Sequence, residues 1–166
     1  MIRIGIEFLL IIAAFILQSS VLERFSLGGI VPNLLIILTS SFGIMRGRKE
    51  GMLIGFICGI FIDIFYGKFI GFYALVYTLI GYLNGIFSSM FYPEDVKLPM
   101  ILISASEIVY CFICYIFLFL LRGRLNIGYY IVHIILPEIV YTIVATILLY
   151  RGVLSINEKL ERLEKG

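Results

Sequence analysis

The sequence predicts an all-α polytopic membrane protein of about six transmembrane helices, and three observations carry that prediction. Of 166 residues, 61% are hydrophobic and only 14% are charged, against roughly a quarter charged in a soluble domain. The apolar residues gather in runs near the length of about 20 residues that crosses a bilayer. The breaks between the runs carry glycine, proline or clustered charge. No soluble core of this size hides that much apolar surface, so lipid must solvate much of it.

Taken in order, the first run is residues 4–22. It reads as a retained span, because Glu7 interrupts its start and no small-x-small cleavage motif follows it. Leu27-Gly28-Gly29 and Pro32 punctuate the next break, with Pro32 placed to open the second span, 30–45, in its first turn. The cluster Arg46-Gly47-Arg48-Lys49-Glu50 cannot sit in hydrocarbon and separates the second span from the third, 51–66. Gly67-Lys68 is a weaker break, making spans three and four (69–91) a tight hairpin; a five-span reading holds if that hairpin is re-entrant. Tyr92-Pro93-Glu94-Asp95 and Lys97 precede the fifth span, 98–121, with Pro99 just after this break, and Arg122-Gly123-Arg124 precedes the sixth, 127–150. Residues 1–150 therefore read as one transmembrane domain.

Residues 151–166 change character. Ile156, Leu160 and Leu163 form a narrow apolar stripe, and Glu158–Arg162 and Glu161–Lys165 have the favourable i, i+4 order. This reads as a short amphipathic tail, either a solvated extension of the last span or a docking helix. With the N-terminus inside, nine lysines and arginines fall on the inner side and four on the outer, which places both termini in the cytoplasm.

Composition also bounds function. A net charge of +2 with scattered basic residues gives no footprint for nucleic acid. Cys58, Cys111 and Cys114 all lie in apolar runs, and Cys111-x-x-Cys114 sits mid-helix, where thiols act as small hydrophobes. His133 is the single histidine, so a histidine-rich metal site is excluded, and neither a metal nor another cofactor is expected. There is no nucleophile elbow, no aspartate pair within spans and no phosphate-cradling glycine loop, so the chain reads as a non-enzyme.

Two kinds of candidate site remain. Gly51, Gly55 and Gly59 recur every four residues in the third span, and Gly81 and Gly85 repeat the spacing in the fourth. Such ridges let helices approach closely, inside one protomer, at a partner interface or in a homodimer. Asp63, Glu107, His133 and Glu138 are polar groups placed in or near apolar spans, where ionisable residues are expensive and are either functional or paired, although Asp63, at the outer end of its span, reads equally as a solvated helix end. Ser104 and Ser106 flank Glu107, and Pro137 precedes Glu138.

The order of these motifs resembles the rod shape-determining protein MreD family of bacteria. The resemblance rests on Pro32-Asn33-Leu34-Leu35, then Arg46-Gly47-x3-Gly51-x3-Gly55-Phe56-x2-Gly59-x3-Asp63, then Gly71-Phe72-x-Ala74-Leu75 and Gly81-Tyr82. It implies a plasma-membrane scaffold of the cell-elongation machinery that supports cell shape and peptidoglycan synthesis. The implied partner is the bitopic protein MreC and, through it, the actin-like MreB, the polymerase RodA and a class B penicillin-binding protein. It further implies a bundle similar to the substrate-binding subunits of energy-coupling-factor transporters, with a pocket near the outer face. The alternative reading is therefore a vitamin-like small-molecule binding subunit of a transporter.

Overall fold

A computed structural model describes residues 1–26, 28–118, 123 and 126–166. Leu27 of the first break and Arg122 and Arg124 of the fifth lie outside the described residues. The described residues form six helical rods: α1 (Ile2–Arg24), α2 (Leu34–Arg46), α3 (Arg48–Phe65), α4 (Phe72–Ile86), α5 (Lys97–Leu118) and α6 (Ile127–Lys165). Two rods carry an internal π turn, at Leu17–Val21 in α1 and Ile131–Ile135 in α6. Among the described residues three helical stretches, Ile2–Arg24, Lys97–Phe117 and Ile127–Lys165, are long and apolar enough to cross a membrane.

The shortest of the remaining helices, α2, is short for a physical reason. From Leu34 to Met45 every residue of α2 is buried, so its surroundings are protein rather than lipid. Thirteen residues reach only about 20 Å at 1.5 Å each, against roughly 30 Å of hydrocarbon. A helix solvated by its neighbours need not match that thickness. The central position also explains how Thr39, Ser40 and Ser41 sit in an otherwise apolar run, since all three are fully covered by protein.

Several expected boundaries move. Pro32 does not open α2. Asn33 caps it instead, accepting a hydrogen bond from Ile36 N at 3.3 Å on its Oδ1, and Pro32 lies outside the helix. The charged cluster at 46–50 is not a loop. Arg46 ends α2, Arg48 begins α3, and Gly47 alone reverses the chain at φ 103°, a conformation open to glycine. The fourth span shortens to Phe72–Ile86, followed by a 3₁₀ turn at Phe87–Met90. The tail is continuous with the sixth span: α6 runs without a break to Lys165.

The glycine ridges join α3 to α4. A side chain on Gly51 would meet Gly81 O at 2.5 Å, one on Gly55 would strike the Tyr77 carbonyl, and one on Gly59 the backbone of Tyr73 and Ala74. Reciprocally, Gly81 faces the Gly51 carbonyl and Gly85 faces the Arg48 backbone. Gly43 brings α2 against the same seam, 2.9 Å from Gly81 O at its notional Cβ. Backbone contact of this kind favours helix association in lipid, where apolar burial gives no driving force.

Candidate functional site

Polar side chains build four distinct structures on this frame. The first closes the α3–α4 hairpin. Asp63 is buried, and its carboxylate accepts hydrogen bonds from the backbone of Gly71, Tyr73 and Ala74, each at 3.0 Å. These amides open α4, so the negative charge sits against the positive end of that helix. Gly71 makes the turn possible with φ 100°. The spacing Gly59-x3-Asp63 followed by Gly71 is thus one device: glycine brings the helices together and aspartate ties the loop across them.

The second structure is a polar lattice in the core. Asn33 Oδ1 accepts from Tyr77 Oη at 2.8 Å, and Asn33 N donates to Thr142 Oγ1 at 3.2 Å, linking α2, α4 and α6. Asn84 Nδ2 donates to Ser106 Oγ at 2.7 Å, to Ser40 Oγ at 3.3 Å and to its own helix at Ile80 O, linking α4, α5 and α2. Gln18 Oε1, at the π turn of α1, accepts from Leu35 N at 3.3 Å. Sequence reasoning missed Asn33, Asn84 and Gln18 as a group. The available signal was an amide side chain within each apolar run, the same signal that singled out the carboxylates.

The third structure is an ionic knot where the two ends of the chain meet. Arg3 pairs with Glu7 at 2.7 Å, Glu50 at 2.6 Å and Glu164 at 3.0 Å. Arg46 pairs with Glu50 at 3.2 Å, Glu161 at 3.1 Å and Glu164 at 3.2 Å. The expected tail pairs Glu158–Arg162 and Glu161–Lys165 do not form. Arg46 takes Glu161 from the second of these pairs, and Arg3 and Arg46 also hold Glu164, because a half-buried guanidinium holds several carboxylates at once. The tail therefore packs on its own bundle.

The fourth structure brings Glu107 and Glu138 together. Glu107 is wholly buried on α5, Glu138 is half-buried on α6, and Cys111 Sγ lies 3.8 Å from a carboxylate oxygen of each. The flanking serines do not join them: Ser104 bonds to Met100 O, and Ser106 bonds to Leu102 O and Asn84. His133 also stays apart, with Nδ1 3.1 Å from Tyr129 O and its ring stacked on Tyr129. Beside the α3–α4 turn lies a cavity of about 330 Å³, whose lining includes Gln18, Ser19, Glu23, Tyr66, Tyr73 and Tyr110.

Apolar helices joined by backbone-close glycine seams, with buried polar groups spent on ties between helices, define a multi-pass integral membrane protein. The family model described as rod shape-determining protein MreD matches residues 1–157, nearly the whole chain. The chain belongs to that family, and so is a membrane component of rod-shape determination. Neither the curated proteins nor the solved structures contain a significant match.

Proposed function

We propose that this protein is a non-enzymatic scaffold in the bacterial plasma membrane that receives an MreC-like bitopic partner and thereby supports cell elongation and peptidoglycan synthesis. The family match over residues 1–157 carries the reading. MreB, RodA and a class B penicillin-binding protein are indirect partners in the same assembly. Six passes with both termini in the cytoplasm fit the excess of lysine and arginine on that side, and the Arg3–Glu164 pair supports placing the two ends together.

The geometry changes which surface serves the partner. The glycine ridge of α3 is occupied by α4, so a partner helix must use faces still turned outward. On α6, Leu136, Val140, Val144 and Leu148 are exposed at i, i+4 spacing and form one apolar stripe. Beside it lies a groove of about 460 Å³ lined by Ile30, Leu136, Pro137, Val140, Tyr141 and Val144. Affinity purification in mild detergent tests this reading. Val144→Trp should lose the MreC-like partner while its own membrane level stays normal, and undiminished co-purification would refute the α6 surface.

The cavity beside Gln18, Glu23 and Tyr73 favours a second reading, in which the protein binds a small vitamin-like molecule for a transporter. That reading requires a stoichiometric metabolite released on denaturing the purified protein, together with co-purified ATPase subunits. A preparation free of both would exclude it.

A further inference from the structure

With one histidine in the chain, spacing alone predicts no metal site, yet folding places three ligand-type side chains in one spot. Glu107 and Cys111 are one turn apart on α5 and share a face. Glu138 arrives from α6, just past the π turn Ile131–Ile135 and Pro137. The donor atoms of the three lie within 4.8 Å of one another. Tetrahedral zinc, with bonds of about 2.0–2.3 Å, needs neighbouring donors roughly 3.3–3.5 Å apart. The thiol is 3.8 Å from each carboxylate, a few tenths of an ångström beyond that spacing, and the site closes by rotamer adjustment of the three side chains.

A second observation points to an occupant. Glu107 is 0% exposed, and its Oε2 has no hydrogen-bond partner. Buried polar atoms are rarely left in that state, and a buried carboxylate still less so. Two carboxyl groups this close in a low-dielectric interior need a cation between them, either a shared proton or a metal ion. With a shared proton the thiol would serve only as an S–H donor to the two carboxylates, whereas a metal ion would take it as a ligand. The thiol placed equally near both carboxyls matches the mixed donor set of a borderline divalent ion.

We propose that Glu107, Cys111 and Glu138 form a buried site for one divalent cation of the zinc class, fastening α5 to α6. Binding releases the thiol proton and the proton shared by the carboxyls. The site exchanges two protons for a doubly charged ion, and its net charge does not change.

The test uses the full chain, carrying a tag without histidine, purified in mild detergent without chelator. Elemental analysis should find about one zinc-class ion per chain. After chelator treatment, Co²⁺ alone should saturate at one equivalent and produce a sulfur-to-cobalt charge-transfer band. Cys111→Ser, a near-isosteric change, should abolish the band and weaken Co²⁺ binding at least about tenfold. Glu138→Gln should weaken binding similarly, and Cys114→Ser should leave both readouts intact. A folded wild-type chain with neither stoichiometric metal nor a Co²⁺ band would overturn the proposal in favour of a shared proton. A band that survives Cys111→Ser would overturn it as well.

Discussion

Replacing Asp63 with alanine removes three hydrogen bonds at once, all to a charged acceptor and all 3.0 Å long. Bonds of that type contribute roughly 1.5–3 kcal/mol each. The three are not equal here. The bond to Ala74 N is buried and should count near the top of the range, while those to Gly71 and Tyr73 are part-buried, and their freed amides can find water. The loss should therefore come to about 4 kcal/mol, a large share of the 5–15 kcal/mol that typically separates folded from unfolded chains. Asp63→Asn keeps one acceptor oxygen but turns an NH₂ toward a backbone donor, and should cost about half as much. Hydrogen exchange in lipid nanodiscs, followed by mass spectrometry over residues 66–76, reads the effect directly. Opening of the α4 N-terminus should rise by about a thousandfold in the alanine variant and by roughly 30-fold in the asparagine variant. An alanine variant whose Gly71 and Ala74 amides exchange within about twofold of wild type would show that Asp63 does not hold the hairpin.

Gly81→Ala puts a methyl group into the Gly51 carbonyl and should destabilise by about 1–3 kcal/mol or more in detergent unfolding, whereas Gly5→Ala, with open space around it, should be neutral. Asn84→Ala leaves Ser40 and Ser106 without their shared donor and should cost about 1–3 kcal/mol in the same assay; a neutral result would mean water replaces the amide. Arg46→Gln breaks its pairs with Glu50, Glu161 and Glu164, which are partly exposed on the carboxylate side. The expected cost is about 1–2 kcal/mol, seen as faster proteolysis of residues 157–165, and raising salt should narrow the gap from wild type.

Hydropathy and turn residues made six helical rods legible, because the signal for an apolar run is dense and local. The same signal cannot say what surrounds an apolar residue. Leu35 in α2 and Leu148 in α6 are the same residue type in similar runs, yet one is fully buried and the other faces outward. The clue lay in the polar residues. Thr39, Ser40 and Ser41 in the middle of the second run mark a helix enclosed by protein. Asp63 was legible as a notable carboxylate, but not as a cap, since its partners lie beyond a turn whose shape depends on Gly71. Glu107 and Glu138 were each visible alone. Their meeting depends on how α6 enters the bundle through a π turn, which no short-range pattern announces. The tail shows the opposite failure: good i, i+4 spacing predicted pairs within one helix, yet Glu161 is held by Arg46 from a distant helix.

The enclosure of α2 bears on how the chain is made. Ribosomal synthesis delivers α2 to the membrane before α3 to α6, the helices that will wall it in, have emerged. At that moment a short helix bearing Thr39, Ser41 and Ser40, the future partner of Asn84, would face lipid or the insertion machinery with its hydroxyls uncovered. The one early tie described is Gln18 to Leu35 N, from α1. Biogenesis must then shelter α2 until the glycine seam up to Gly85 and the later helices that bear Ser106 and Thr142 have followed, so the bundle should integrate as one delayed unit rather than one helix at a time.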